Sequence, residues 1–251
     1  MKALILNSGR GSRMGDLTAE QPKCMSELGP KETILSRQLE LLALAGVKEV
    51  ILTTGYKDEV LRDYCKKLKL KKMKLEFVKN ERYEETNYIY SIYCARELLS
   101  NLKEDLLLVH GDLVFEARVL AELLSTPGSA MAVSSALSLP EKDFKAVIAG
   151  GTRDSHITAV GVEFFEDAMA AQPLYKLTAA DWQQWLDRIV AYCESGDPAK
   201  QTCYAEKALN EVLSEGLVLH PTNYRSMLCA EIDNADELRW LGARVKELEG
   251  R

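Results

Sequence analysis

The chain has 251 residues, 38 acidic and 32 basic side chains for a formal net charge of −6, and 47% hydrophobic and 28% charged residues. That suits one soluble α/β domain with decoration, and the acidic balance speaks against nucleic-acid binding, which wants a basic stripe. Apolar runs all fall short of the ~20 residues of a membrane-spanning helix, so no membrane partner is expected. The opening "MKALILNSG" has a single lysine, a short apolar stretch and no cleavage site. It reads as a strand rather than a signal peptide, and a cytoplasmic location follows as an expectation. Six cysteines lie scattered without a CxxC or CxxH pair, which disfavours structural zinc and a disulfide framework. Only Cys24 falls inside a motif, and it reads as a small packing residue.

In chain order, "KALILN" predicts a first strand and "TILSRQLELLALAG" a helix ending at Gly46. "EVILTTG" and "KDEVLRDYCKKL" predict the next strand and helix, "KLEFVKN" and "NYIYSIYCARELLSNL" a third pair, and "DLLLVHGD" a fourth strand. The basic run "KKLKLKKMK", Lys66 to Lys74, lies between the second helix and third strand and reads as a solvated helix end. This alternation predicts a mainly parallel, Rossmann-like sheet with helices on both faces. Ligands bind such sheets beyond the carboxyl ends of the strands, where Asn7 to Arg13, Gly55 and Asp112 all fall.

The second half is less regular. "SAMAVSSAL", "FKAVIAGG" and "HITAVGVEFF" read as strands; helices are expected around Asp167 to Lys176, in "AADWQQWLDRIVAYCESG" and in "YAEKALNEVLSEG". Trp182, Trp185, Leu186, Ile189 and Val190 give the middle helix an apolar face, for the core or for a subunit contact, so a homodimer stays open. "LVLHP" and "LCAEID" return as strands before a closing helix, "ADELRWLGARVKELE". With no Gly-, Pro- or Ser-rich linker, the chain reads as one domain, residues 1–125 binding a nucleotide and 126–251 forming an acceptor half with a helical cap.

Chemistry concentrates after the first strand. In "LNSGRGSRMG", Gly9, Gly11 and Gly15 let backbone amides crowd around an anion, and Arg10 and Arg13 add positive charge. Neither of the best-known phosphate loops fits, because no lysine follows the second glycine and the third glycine comes one position late. "PKCM" follows "GSRMG" after six residues, so Lys23 shares one long excursion with Arg13 and both can reach a triphosphate.

The order strand, G-x-G-x-R, P-K, helix resembles the nucleotidyltransferase superfamily, which has a GT-A-like fold. "NERYEETNYIYSIYCAREL", "HGD" and "AEIDNADEL" narrow the resemblance to the cytidylyltransferases that activate phosphocholine or 2-aminoethylphosphonate. "NSG" departs from the two small residues that many relatives carry before the first glycine. The resemblance implies CTP and a small phosphorylated or phosphonylated amine as reactants, with 2-aminoethylphosphonate slightly favoured over phosphocholine. It makes Arg13 and Lys23 the catalytic cations, and it gives Asp112 and Asp233 to Mg²⁺. Hard carboxylate oxygens suit that ion, although either aspartate alone also reads as a cap or turn residue. Nucleotide contacts are expected from Leu6, Asn7, Ser8, Gly9, Gly11, Ser12, Asn80, Asn87 and Ser91. Asn87 reads equally as a helix cap. Acceptor contacts are expected from Tyr175, Tyr204, Glu206 and Glu231, with Glu206 equally suited to a helix dipole. A sugar-1-phosphate nucleotidyltransferase and a non-catalytic nucleotide-binding protein are the alternatives. An NAD-dependent enzyme would want an acidic residue where the second strand ends in "TTGYK".

Overall fold

The apolar runs of the first half pack as a parallel sheet because both of their faces are covered. A computed structural model describes residues 1–68, 70, 73–151 and 154–250, so Lys69, Lys71 and Lys72 of the basic run lie outside the described residues. The elements are β1 (Lys2–Leu6), the hairpin β2 (Glu27–Gly29) and β3 (Glu32–Thr33), α1 (Ile34–Leu44), β4 (Glu49–Thr54), α2 (Asp58–Lys67) and β5 (Lys74–Lys79). They continue with α3 (Tyr88–Cys94), α4 (Arg96–Leu99), β6 (Leu106–His110), β7 (Leu113–Phe115), α5 (Ala117–Ser125), β8 (Ser129–Ser134), β9 (Lys145–Ala149) and β10 (His156–Gly161). Then come β11 (Ala168–Leu177), α6 (Ala179–Glu194), α7 (Pro198–Thr202), α8 (Ala205–Ser214), β12 (Leu219–Asn223), β13 (Cys229–Glu231) and α9 (Ala235–Glu249).

One mixed sheet runs in the order β5-β4-β1-β6-β11-β8-β12-β10-β9. The first four strands are parallel, and β11 is antiparallel to both β6 and β8. Side chains alternate across β1, as strand geometry requires. Ala3 and Ile5 join the core under α1 and α5, while Leu4 and Leu6 join the core under α3, α6 and α8. α1 starts where Thr33 and Ser36 cap each other reciprocally and stops before Gly46, which sits at φ 83°. Trp182 and Trp185 are fully buried, and their indole N–H groups donate to the Leu99 and Ala205 carbonyls at 3.0 Å. The apolar face of α6 is therefore core. Cys24 is buried and unpaired, as a packing residue should be.

Three expectations change. The expected helix around Asp167 to Lys176 is instead strand β11, Ala168–Leu177. Its Ala and Met content favours helix locally, but burial between β6 and β8 overrides that, and Pro173 falls where the register shifts between Ala171 and Tyr175. The third helix is two, broken at Ala95. Among the second-half helices, α6 and α8 form a layer on the sheet's face, α7 and Tyr204 meet the start of α3, and α9 packs on β2 and the Ser12–Thr18 turn, so the cap is divided rather than one lid. β13 pairs with β7 outside the main sheet, which carries the chain from Glu231 to Asp233 back over the end of β6.

Candidate active site

Past Leu6 the chain leaves the sheet through a crowded turn. The Asn7 N–H donates to Thr53 Oγ1 at 3.1 Å, and the Tyr56 N–H donates to the Ser8 carbonyl at 3.1 Å. A Cβ on Gly111 would lie 1.7 Å from Asn7 Oδ1, so only glycine there admits the asparagine side chain. Gly11 is constrained twice: its φ is +65°, and a Cβ on it would meet Lys23 Cβ at 2.9 Å. The glycine turn thus makes room for the lysine stem as well as baring its amides.

A cleft of about 320 Å³ opens at the strand ends. Leu6, Asn7, Ser8, Gly9, Gly11, Arg13, Lys23, Asn80, Asn87, Ser91 and Asp112 line it as expected; Tyr83, Thr86 and Tyr88, from the same Asn80 to Ser91 segment, line it too, as does His110, to which the sequence reading gave no role. Ser12 is exposed and starts a short 3₁₀ turn outside the lining. Buried orphan atoms gather at the floor, where Asn7 Nδ2, Ser8 Oγ and His110 Nε2 lack partners.

Charge converges at one end. Lys23 Nζ donates to Asp112 Oδ2 at 2.6 Å and to Asp233 Oδ1 at 3.5 Å, and Arg13 Nη1 donates to Asp233 Oδ2 at 2.6 Å. The backbone makes this possible, because the Ile232 N–H donates to the Asp112 carbonyl at 3.0 Å. Burial pushes the Asp112 carboxyl up, but Lys23 and His110 outweigh it and hold it below the usual range. His110 Nδ1 meets Glu231 Oε1 at 3.2 Å. Burial lowers that imidazole, yet Glu231 overcomes it and leaves His110 above its ordinary value; Glu231 itself is raised by burial and by Asp112.

These residues fit a divalent cation. Asp112 and Asp233 already converge on a single cationic nitrogen, and both offer hard oxygens of the kind Mg²⁺ prefers. Donor atoms of His110, Asp112 and Glu231 also lie within 4.8 Å of one another. In "HGD" the sequence points to the aspartate, and the histidine two residues before it is the further signal that the motif holds.

The rest of the cleft is shaped by side-chain bonds. Asn80 Nδ2 donates to Thr86 Oγ1 and to Ser91 Oγ at 3.1 Å, and its Oδ1 accepts from the Arg82 N–H. Asn87 caps α3, accepting from the Tyr88 N–H at 2.7 Å and donating to the Thr202 carbonyl. The Tyr88 hydroxyl donates to Glu206 Oε2, and the Tyr175 hydroxyl donates to Glu206 Oε1 at 2.8 Å. Burial, reinforced by Glu206, raises both phenols well above their ordinary value, so both remain donors. Tyr88 meets His110 edge-on at 4.6 Å and stacks with Tyr204 at 6.0 Å, and Phe144 packs edge-on to Tyr204. Tyr204 is 41% exposed, whereas Tyr175 is 0% and Glu206 1% exposed. Tyr175 therefore sits in the core and does not face the cleft, contrary to the sequence expectation. Glu206 lies behind the Tyr88 hydroxyl in the first turn of α8.

A wound sheet with a basic glycine turn, a lysine on the same excursion and paired carboxylates at the strand ends is the architecture of a nucleotidyltransferase. The chain belongs to the MobA-like NTP transferase domain family, which matches residues 3–239. Among relatives, it is 35% identical over 118 residues to the CTP:phosphoglutamine cytidylyltransferase of Campylobacter jejuni, covering 46% of this chain and 45% of that one. It is 36% identical over 138 residues to the CMP-5′-(3-aminopropyl)phosphonate synthase of Streptomyces rubellomurinus, covering 55% of this chain and 21% of that one. The chain thus spans less than half the length of these curated relatives. The structure of the CTP:phosphocholine cytidylyltransferase of Streptococcus pneumoniae superposes with a TM-score of 0.71 at 20% identity, covering 97% of this chain and 98% of that one, a likeness of fold.

Proposed function

We propose that the protein is a cytidylyltransferase that moves CMP from CTP to a small phosphono- or phospho-amine and releases pyrophosphate. The observation that carries this is the cluster of Lys23, Arg13, Asp112 and Asp233 at one end of the cleft. Beside it Tyr88 lines the cleft, backed by the buried Glu206 and stacked on the part-exposed Tyr204, with Glu231 paired to His110. Phosphate chemistry explains the first group, and a cationic acceptor explains the second. The cytidine and amine preferences come from the relatives, whose names specify CTP, phosphoglutamine and an aminopropylphosphonate.

In this reading an acceptor oxygen attacks the α-phosphorus of CTP in line. One P–O bond forms, the bond to the β-phosphoryl oxygen breaks, and pyrophosphate departs. Acceptor oxygens are already anionic near neutral pH, so positioning and charge neutralisation do the catalytic work. Arg13 and the amides of the Gly9–Gly11 turn hold the β- and γ-phosphates, while Lys23 serves the α-phosphate and the incoming oxygen. Asp112 and Asp233 would hold Mg²⁺, which would supply further neutralisation of phosphate charge. Residues 1–125 then carry the nucleotide, and 126–251 supply most of the acceptor side, joined by Tyr88 from α3.

A primary ammonium needs hydrogen-bond acceptors besides aromatic faces. With Glu206 behind the Tyr88 hydroxyl and Glu231 paired to His110, 2-aminoethylphosphonate is the slightly favoured acceptor and phosphocholine the second. Pyrophosphate release with each of CTP, UTP, GTP and ATP, against both amines, phosphoethanolamine and sugar 1-phosphates, tests the reading. It expects release with CTP and an amine; release with sugar 1-phosphates alone would overturn it.

A further inference from the structure

The ion pairs of the site close on themselves. Two cations, Lys23 and Arg13, meet two carboxylates, Asp112 and Asp233, so the formal charge of the quartet is zero. Lys23 occupies the inner position. Its side chain is only 12% exposed, and its ammonium lies within 3.5 Å of an oxygen from each aspartate. Arg13 holds the other oxygen of Asp233 from outside, with 68% of its side chain exposed.

We propose that, without nucleotide, Lys23 serves as a tethered counter-ion on the metal carboxylates, and that triphosphate and divalent cation enter together by exchanging with it. The inference rests on the reading of Asp112 and Asp233 as metal ligands. A divalent cation arriving alone must displace an ammonium held by Asp112 at 2.6 Å and by Asp233 at 3.5 Å. A triphosphate arriving alone must strip the cation from two carboxylates and leave them facing each other. When both arrive together, the cation takes the carboxylates and the phosphates take Lys23 and Arg13, so every charge regains a partner. This is a coupling between two ligands at one quartet of residues, and such coupling is reciprocal.

The geometry restricts the exchange to the lysine head. Lys23 begins a short 3₁₀ turn after Pro22, and its Cβ passes against Gly11. The stem is thereby fixed at its root, while the χ torsions beyond Cβ carry the ammonium from carboxylate to phosphate. Lysine suits this better than arginine because its ammonium is a compact point charge on a flexible stem.

The test measures binding of Mn²⁺ to nucleotide-free protein, read from the electron-paramagnetic-resonance signal of the free ion. Replacing the counter-ion by an uncharged side chain of similar length, Lys23→Met, should tighten Mn²⁺ binding by about tenfold, within the usual range of such couplings. Adding Asp112→Asn to Lys23→Met should abolish the gain, and far-UV circular dichroism confirms that both variants are folded. In the reverse direction, Asp112→Asn should bind metal-free CTP, held in EDTA, more tightly than wild type does. If Lys23→Met binds Mn²⁺ no better than wild type while the double variant binds it worse, the exchange is wrong and the ligand reading stands. If the double variant binds Mn²⁺ as well as Lys23→Met, Asp112 is no ligand and the underlying reading falls.

Discussion

Gly11 and Lys23 are in contact across the excursion between β1 and α1, and a single added methyl on the glycine would stand 2.9 Å from the lysine Cβ. Gly11→Ala therefore meets two obstacles, the φ of +65° and the lysine stem. The expected outcome is a loss of about 1 kcal/mol or more in stability and a larger proportional loss of kcat as the ammonium is pushed off its partners. Thermal melts and steady-state kinetics on the same preparation check both.

Lys23→Ala and Arg13→Ala should each lower turnover by about a hundredfold or more, the size of effect seen when one transition-state donor is removed. Neither side chain belongs to an apolar core cluster, so both variants should fold; Arg13→Ala should keep a melting temperature close to wild type, and Lys23→Ala should lose some because Asp112 and Asp233 lose their counter-ion. Activity that persists in folded Lys23→Ala would remove the lysine from the chemistry.

Much of this site was readable from the sequence. The first four strands and their helices carry strong periodic signals, so Leu6 to Arg13 and Asp112 could be placed at the strand ends. Lys23 was readable because Pro22 and the glycine turn bracket it. Tyr175 was misplaced because β11 is built from good helix formers, and only the neighbouring strands make it a strand. Tyr88 and His110 were missed for another reason. Their roles depend on α3 and β6 meeting α8 and β13 in space, and no local pattern reports that.

The His110–Glu231 pair makes a pH prediction. The folded-state pKa of His110 is raised above the ordinary 6.5, so the folded protein binds this proton more tightly than the unfolded chain does. Its contribution to stability is full below about 6.5, the unfolded imidazole value, and is lost as pH rises through the folded pKa. Wild type should therefore lose melting temperature above about pH 6.5 more steeply than His110→Gln does. Parallel curves for the two proteins would contradict the pairing.

Glu206 accepts from one tyrosine in the cleft wall and one in the core, which separates two effects. Glu206→Gln and Tyr88→Phe should raise KM for the amine and leave KM for CTP nearly unchanged. Tyr175→Phe should cost about 1 kcal/mol, typical of one hydrogen bond, with both KM values preserved. Equal rises in both KM values for Glu206→Gln would separate Glu206 from the acceptor.

The central claim is the transfer itself, and ³¹P NMR of the protein with CTP, Mg²⁺ and 2-aminoethylphosphonate tests it most directly. The account predicts a new pair of mutually coupled resonances from a CMP–phosphonate linkage, appearing together with pyrophosphate. Intact CTP and phosphonate after prolonged incubation, with phosphocholine and phosphoethanolamine equally unchanged, would contradict it.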